Sequence, residues 1–351
     1  MISQEHKEIF NKFMNNLDEN SKVGLFADSD LDGIGSAIFM EEILKNKRIK
    51  HISLSFLDYH KKAIEEINRK ILKENLKKII ILDFNIDNNY PNEFEELQKN
   101  FDVLLIDHHP LNQKIKNLKG IIKTKSEDCV ALNIYNLGRD LFETKKWEWL
   151  LAPIMISEFS YLDNSNFNFL KKSFPNINRD DIKDSIPGKT LAELGSLIIY
   201  YKKEIKKAFE IIKNKKDQEI KKIDLIVKKE VKKYLKKFEK EMEKNKGNIV
   251  YLLFDSDLEI YNSVTTISSL KEPSLTFIGI DISGEEFSKI SLRNQSGNIN
   301  MVKMAEQILK KLDKTMYGGH LRAAGGMFLK KDLTKVLKKI LNIRKNIINF
   351  S

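Results

Sequence analysis

Three carboxylates stand at alternate positions near the start of the chain, at Asp28, Asp30 and Asp32, and Gly33 follows the last of them. An apolar run precedes them and a helical pattern follows, which is typical of a strand, a tight turn and the start of a helix. Carboxylates this close together repel one another unless a cation shares them. Taken alone, the triplet is compatible with a solvated acidic turn or with a metal site.

Two later apolar runs also end in residues that can bind a metal ion. One run ends in Asp83, and the other ends in Asp107, His108 and His109. In an open α/β sheet, ligands bind beyond the carboxyl ends of the parallel strands, which is where all of these side chains should lie. The three segments together predict a site for divalent cations.

The set Asp28-x-Asp30-x-Asp32-Gly33, then Asp83, then Asp107-His108-His109 resembles the motifs of the DHH phosphoesterase family, especially its RecJ-like exonucleases of archaeal type. The resemblance implies a hydrolase that uses two Mn²⁺ ions, with Mg²⁺ as an alternative, to cut single-stranded DNA or RNA. Such a pair of ions, ~3.5–4 Å apart, makes hydroxide near neutral pH and stabilises both oxygens of an in-line displacement.

The resemblance also implies how the metal ligands are divided. Asp83 would bridge the two ions, and Asp28 and Asp30 would bind the first of them. Asp32 and His108 would bind the second. Because imidazole is among these ligands, the set favours Mn²⁺ over Mg²⁺, which prefers oxygen alone.

Two side chains of the third motif have other implied roles. His109 would face the substrate phosphate. Asp107 would orient a histidine without binding the metal itself. Both belong with Asp83 and His108 in the implied catalytic set.

The fourth motif of the family departs from its usual form. The family carries an Asp in the apolar helix that the sequence predicts over residues 147–161. Here the candidates for the missing metal ligand are Glu158 and Asp163. The sequence leaves the choice open, and with it the possibility that the protein is catalytically degenerate.

Composition limits the classes of protein. The formal charge of +11 and the pI near 9.2 favour a polyanionic partner such as nucleic acid. No apolar run is long enough to span a membrane and nothing at the start resembles a signal peptide, so we expect a soluble, cytoplasmic protein without a membrane partner. The single cysteine, Cys129, fits a reducing compartment and a small buried position near a helix start.

Strands that alternate with helices predict an α/β fold with a parallel sheet. The predicted strands cover residues 22–27, 51–57, 79–82 and 103–106, with a short edge strand at 120–122. A helix that begins near Ser126 is expected to use that residue as its cap. We expect a DHH catalytic domain (1–200), a Lys-rich helical linker (201–246) and a smaller mixed-sheet α/β C-terminal domain (247–351), with the active site in the cleft between the domains.

The predicted linker is strongly basic. Residues 202–246 contain 18 Lys and 9 Asp or Glu, with apolar residues at helical spacing. The segment could be one long helix or a helical hairpin. Its lysines could form a solvated face or a track for a phosphate backbone.

The C-terminal domain contains a second group of candidate residues. Gly318-Gly319-His320 resembles the Gly-Gly-His signature of the domain that accompanies DHH domains, and Ser291-x-Arg293 resembles its Ser-x-Arg element. These residues would bind substrate phosphates, Arg293 through its planar guanidinium. A strained glycine-rich turn is the alternative interpretation.

Three functions follow from these patterns. The first is a RecJ-like exonuclease that acts on single-stranded nucleic acid, in repair or together with replication proteins. The second is an oligoribonuclease or cyclic-dinucleotide phosphodiesterase that takes short oligonucleotides. The third is a degenerate scaffold in a replication complex. His60, just beyond the second strand, is a weaker candidate for substrate contact.

Overall fold

The computed structural model describes residues 2–57, 63–115, 119–244 and 247–347. His60 lies outside the described residues. The chain divides into two compact units, Met1–Ile220 and Lys221–Ser351, and the division falls within the segment predicted as the linker. In the described part of the chain, no helix combines the length and the apolar character that a membrane crossing requires.

The first unit is built on a parallel sheet of five strands in the order β2-β1-β3-β4-β5, which confirms the predicted fold class. The strands are β1 (Lys22–Asp28), β2 (His51–Leu57), β3 (Lys78–Leu82), β4 (Asp102–Asp107) and β5 (Ile121–Lys123). The apolar residues of β1, β3 and β4 are buried almost completely, as expected for strands with both faces covered.

Helices cover both faces of this sheet. They are α1 (Gln4–Asn15), α2 (Leu31–Asn46), α3 (Ala63–Glu74), α4 (Ile86–Asn89), α5 (Pro91–Asn100), α6 (Val130–Leu137), α7 (Glu148–Ser157), α8 (Asn164–Ser173), α9 (Ile186–Tyr200) and α10 (Ile205–Lys213). Short 3₁₀ helices occupy Thr144–Trp147, Ser160–Leu162, Ile182–Asp184 and Lys202–Glu204. The central helix α2 is apolar around most of its circumference because it packs on α6 and α7 as well as on the sheet.

The Lys-rich segment forms two helices rather than one. After α10, a short turn in which Lys215 has a φ of 46° leads into α11 (Asp217–Lys244). From Lys221 onward α11 belongs to the second unit, where the rings of Tyr234 and Phe254 stack with centroids 4.7 Å apart.

The second unit contains a mixed sheet, as predicted for the C-terminal domain. Its strands are β6 (Ile249–Phe254), β7 (Thr276–Asp281), β8 (Phe287–Arg293), β9 (Met316–His320) and β10 (Ala323–Leu329), in the order β6-β7-β8-β10-β9. Only β6 and β7 pair in parallel. The helices are α12 (Tyr261–Lys271), α13 (Met301–Leu309) and α14 (Leu333–Ile347), with a 3₁₀ turn at Lys330–Asp332.

Candidate metal centre

The carboxyl ends of three adjacent strands bring acidic residues to one edge of the first sheet. Asp28 ends β1, Asp83 follows β3, and Asp107 ends β4. Asp83 adopts a left-handed φ of 53°, and its backbone amide donates to the carbonyl of Ile106 at 3.0 Å. The sheet therefore holds the backbone that presents these side chains.

Four predicted site residues lie together at this edge. Ligand atoms of Asp83, Asp107, His108 and His109 all fall within 4.8 Å of one another. Asp83 and Asp107 are buried, while the two imidazoles are half-buried. The group has the oxygen and nitrogen donors that Mn²⁺ and similar divalent ions use in proteins.

A hydrogen bond fixes one imidazole nitrogen of His108, and the other nitrogen faces Asp83. Its Nδ1 lies 2.6 Å from the carbonyl oxygen of Asp128, so Nδ1–H donates there and Nε2 keeps its lone pair. That Nε2 lies 3.4 Å from Oδ1 of Asp83. No residue in the described part of the chain gives a hydrogen bond to this buried oxygen. An unpaired buried oxygen facing an imidazole lone pair fits a site for a divalent cation between them.

Electrostatics at the site also favours a bound cation. Burial, reinforced by the Asp32 and Asp30 carboxylates, raises the pKa of Asp83 well above its usual value. Burial, together with Glu158 and Asp30, does the same to the pKa of Asp32. A divalent ion would relieve this repulsion and allow the carboxylates to ionise together.

Asp32 also has a structural role that the sequence did not reveal. Its carboxylate accepts hydrogen bonds from the backbone amides of Val130 at 2.7 Å and Ala131 at 2.8 Å, the first residues of α6. The expectation that Ser126 caps this helix is wrong, because α6 begins later with buried Cys129 as its N-cap and Asp32 satisfies its first amides. Oδ1 of Asp32 also accepts from the hydroxyl of Ser36 at 3.5 Å, whereas Oδ2 retains a lone pair that can bind a cation.

The loop that carries the acidic triplet is fixed by its own backbone. Asp30 caps α2 by accepting from the amide of Gly33 at 2.9 Å. A Cβ at Gly33 would lie 2.3 Å from the carbonyl oxygen of Asp28, so only glycine fits there. Lys202 donates to the hydroxyl of Ser29 at 3.0 Å and brings a positive charge to this loop.

The Asp107 carboxylate contacts His109 of the third motif and Lys123 of β5. Its Oδ1 lies 2.8 Å from Nδ1 of His109, and its Oδ2 accepts from Lys123. Lys123 also donates to the fully buried Asp87 at 2.7 Å. Although burial opposes ionisation, the contacts with His109 and Lys123 hold the pKa of Asp107 below its usual range. Asp107 thus binds its neighbours and orients His109.

This environment shifts the pKa values of His108 and His109 in opposite directions. The hydrogen bond to Asp107 raises the pKa of His109 above its ordinary value. Burial and the neighbouring His109 lower the pKa of His108. A lowered pKa keeps His108 neutral, which is the form that binds a metal.

The structure places the two fourth-motif candidates in different surroundings. Glu158 ends α7, and its carboxylate lies close enough to Asp30 and Asp32 to affect ionisation at the site. Asp163 is half-buried and caps α8, where it accepts from the amides of Ser165 and Asn166. Of the two candidates, only Glu158 lies close enough to Asp30 and Asp32 to interact with them electrostatically.

The raised pKa of Glu158 predicts that the stability of the metal-free protein depends on pH in an unusual way. Burial and the Asp30 carboxylate raise the pKa of Glu158 to about 7. The folded protein therefore keeps a proton that the unfolded chain loses near pH 4.5, and the free energy of unfolding should fall as pH rises from about 4.5 to 7. The full loss is about 3 kcal/mol.

Urea denaturation in EDTA at pH 5, 6, 7 and 8 measures this dependence. The difference between the parent and Glu158→Gln reports the titration of Glu158 together with its repulsion of Asp30 and Asp32, since the more distant titrating groups are common to both proteins. We expect the variant to lose less stability across this range. Parallel profiles for the two proteins would contradict the assigned environment of Glu158.

The second unit places its candidate residues at two depths. Gly318, Gly319 and His320 lie exposed on the edge strand β9. Gly319 has a φ of 141°, and a Cβ there would lie 2.3 Å from the carbonyl oxygen of Ala323, so the glycine is required. The predicted turn is in fact part of a β9–β10 hairpin.

Ser291 and Arg293 lie deeper, on the interior strand β8. Ser291 is fully buried, so its side chain does not reach solvent. Arg293 donates through Nε to Thr266 and through Nη1 to the carbonyl oxygens of Leu292 and Ala324. In the described residues its Nη2 has no hydrogen-bond partner, so one edge of the guanidinium remains available.

The match to a family model agrees with this geometry. Residues 22–147 match the DHH family, N-terminal domain. This match confirms the resemblance to the DHH family that the three motifs indicated. No curated protein matches the chain significantly.

Solved structures extend the comparison across both units. The chain is similar to exonuclease RecJ bound to manganese, with a TM-score of 0.69 and 14% identity over 95% of this chain and 92% of the other. RecJ in complex with Mn²⁺ from Thermus thermophilus matches with a TM-score of 0.73 and 13% identity, over 99% of this chain and 55% of the other. CDC45 from Entamoeba histolytica matches with a TM-score of 0.52 and 11% identity, over 95% and 97%. These likenesses establish a RecJ-like fold.

Sequence reasoning missed several residues that support the site. Lys123 and Asp87 form buried ion pairs beneath Asp107, and the carbonyl of Asp128 orients His108. A lysine at the end of the edge strand β5 was a usable signal, because a charged residue that ends a buried strand requires a partner.

Proposed function

We propose that the protein is a metal-dependent phosphodiesterase of the RecJ-like type that shortens single-stranded nucleic acid from an end. The observation that carries this proposal is the unpaired, buried Oδ1 of Asp83 opposite Nε2 of His108. The exonuclease RecJ structures with manganese support the choice of chemistry.

The donor set suggests which side chains would hold two Mn²⁺ ions, with Mg²⁺ as the alternative. Asp83 is assigned as the shared ligand, Asp28 and Asp30 as ligands of one ion, and Asp32 and His108 as ligands of the other. Ions at these positions would activate water and stabilise negative charge on the transferring phosphate.

The remaining groups position the substrate. His109 is assigned to the scissile phosphate, because its Nδ1 is committed to Asp107 and its Nε2 is left to donate. The raised pKa of His109 favours the protonated imidazole that such a contact uses. Asp107 acts through His109 rather than on the substrate.

We assign residues 1–200 to catalysis, 201–246 to a linker and 247–351 to substrate binding. In the C-terminal domain, Gly318, Gly319 and His320 are exposed on the edge strand and suit contact with a phosphate. Arg293 offers its Nη2, and Ser291 supports β8 from the interior. Phosphate contacts carry no sequence information, so we expect little sequence preference.

Digestion of end-labelled strands tests the proposal. DNA and RNA oligonucleotides of 2, 5 and 20 residues, with duplex controls, would be incubated with EDTA or with Mg²⁺ or Mn²⁺ at roughly millimolar concentration. We expect stepwise shortening of single strands with Mn²⁺ and none with EDTA. Cleavage confined to dinucleotides would instead support a phosphodiesterase of short oligonucleotides or cyclic dinucleotides.

A scaffold function is the second candidate, and the CDC45 likeness in fold favours it, as does the Glu in place of the usual fourth-motif Asp. A protein that cuts no single-stranded DNA, RNA or dinucleotide with Mn²⁺, and that co-purifies with replication proteins, would have this function. The digestion series above separates the two candidates directly.

We predict that Glu158, and not Asp163, completes the metal site. Glu158→Gln should raise the Mn²⁺ concentration needed for half-maximal rate by about 10-fold or more, because one anionic ligand is lost. Asp163→Ala should leave the Mn²⁺ requirement unchanged and cost about 1 kcal/mol of stability, since it removes a helix cap. Mn²⁺ titrations of rate, with urea denaturation of each variant, measure both effects. The reverse pattern would assign the ligand to Asp163.

A further inference from the structure

A basic pocket lies on the first unit at the edge strand β2, away from the acidic cluster. It encloses about 290 Å³ and is lined by Ser55 and Phe56 from β2 and by residues of α3 and α10. The helix residues are Glu66, Arg69, Lys70, Lys73, Ile205 and Lys206. Four cations and one carboxylate thus surround a cavity with room for a phosphate group.

Two of the four cations are neutralised by neighbours. Arg69 binds Glu66 through Nε at 3.1 Å and through Nη2. Lys70 binds Glu74 at 2.8 Å and also approaches the hydroxyl of Ser53 at 3.4 Å. These contacts hold the wall of the pocket in place.

The other two cations are exposed lysines that interact with nearby carboxylates only at longer range, Lys206 with Glu66 and Glu74 and Lys73 with Glu74. Within the described residues, neither Lys73 nor Lys206 makes an ion pair or a hydrogen bond through its side chain. Partial burial and the charge of Lys70 lower the pKa of Lys206, and Glu66 and Glu74 oppose this shift. An anion between the lysines would offset the repulsion among the cations of the pocket.

Two elements that line the pocket also approach the acidic loop. Phe56 stands opposite Ala27 in the parallel register, one residue before Asp28. Lys202, four residues before Lys206, contacts Ser29 within the acidic loop. The segment that leads into α10 therefore contacts the loop that carries the acidic triplet.

We propose that this pocket binds a phosphate group of the single-stranded substrate outside the metal centre. Lys73 and Lys206 would bind the phosphate oxygens, with Ser55 and Lys70 completing the wall. The identity of the ligand as a nucleic-acid backbone rests on the proposed function, whereas the preference for a phosphate anion rests on the pocket alone. A phosphate held here adds affinity and sets the path of the strand without reading its sequence.

Binding in EDTA tests the proposal without any need for hydrolysis. A fluorescent 12-residue strand would be titrated with the parent, with Lys73→Ala/Lys206→Ala, and with Lys22→Ala/Lys77→Ala at several salt concentrations. Lys22 and Lys77 are exposed at the amino ends of β1 and β3 in the same sheet, so the control variant has the same net charge. Titrations with orthophosphate and with a mononucleotide form a second arm.

We expect the pocket variant to bind the strand roughly tenfold more weakly and to lower the slope of log affinity against log salt by about one, while the control changes little. Equal effects in both double variants would overturn the proposal, as would an unchanged slope in the pocket variant. Lysine-dependent binding of orthophosphate or mononucleotide without strand binding would overturn the assignment to a backbone. A parent that binds the strand through the pocket but cuts nothing with Mn²⁺ supports this site and contradicts the nuclease.

Discussion

Asp83→Asn should abolish hydrolysis and at the same time make the metal-free protein more stable. The substitution removes a buried carboxylate whose Oδ1 has no hydrogen-bond partner among the described residues. It also removes a group whose ionisation is opposed by burial and by the neighbouring carboxylates. Asparagine tolerates the left-handed backbone of this position, so the change adds little strain.

The expected changes in stability and in hydrolysis rate of the Asp83→Asn variant are large enough to measure. The amide Nδ2 of the variant can donate to Nε2 of His108 where the carboxylate oxygen has no partner, which should stabilise the metal-free protein by about 1–3 kcal/mol. That gain corresponds to a rise of several degrees in melting temperature, at roughly 2–4 °C per kcal/mol for a unit of this size. The rate with Mn²⁺ should fall by more than about 100-fold. Loss of a residue that only supports a metal ligand costs up to about 100-fold, and loss of a ligand should cost more.

Thermal melts with EDTA and with Mn²⁺, and rates on a labelled strand, test this prediction. Mn²⁺ should raise the melting temperature of the parent and have little effect on the variant. Asp102→Asn is a suitable control, because its carboxylate pairs with Lys78 at the opposite end of β4. A variant that is less stable in EDTA and is still stabilised by Mn²⁺ would contradict the role of Asp83.

Asp107→Asn should have the opposite effect on stability. This carboxylate is fully buried and accepts from Lys123, from Nδ1 of His109 and from the amide of His108. Its loss leaves the Lys123 charge with Asp87 as its only carboxylate partner among the described residues. Breaking a buried ion pair from one side costs about 3 kcal/mol or more.

Two measurements separate this effect from a simple loss of fold. Urea denaturation gives the stability, and nitrogen NMR of the His109 ring reports whether Nδ1 still carries its proton. We expect reduced stability together with a change in the His109 signal, and with it slower hydrolysis. Unchanged His109 tautomer and stability would show that Asp107 does not position this imidazole.

The strands and their ends could be predicted from the sequence because local pattern determines them. Apolar runs that end in Asp28, Asp83 and Asp107 give both the parallel sheet and the side of the sheet where the site lies. Parallel pairing places those ends together without any knowledge of the side-chain contacts.

Contacts between distant segments could not be predicted in this way. Asp32 caps α6 from a position 98 residues earlier than Val130, and no local signal at Ser126 or Cys129 could reveal that partner. The burial of Ser291 follows from its place on the interior strand β8, which depends on pairing with β10. The choice between Glu158 and Asp163 likewise depended on which side chain reaches the acidic cluster.

Anomalous diffraction from crystals soaked in Mn²⁺ tests the central claim most directly, since it locates the ions without reference to activity. We predict two peaks that share Asp83 as a ligand, one beside Asp30 and the other beside Nε2 of His108 and Asp32. A map with no peak within coordination distance of Asp83 and His108, from crystals that bind Mn²⁺ elsewhere or not at all, would contradict the assignment of this cluster as a metal centre.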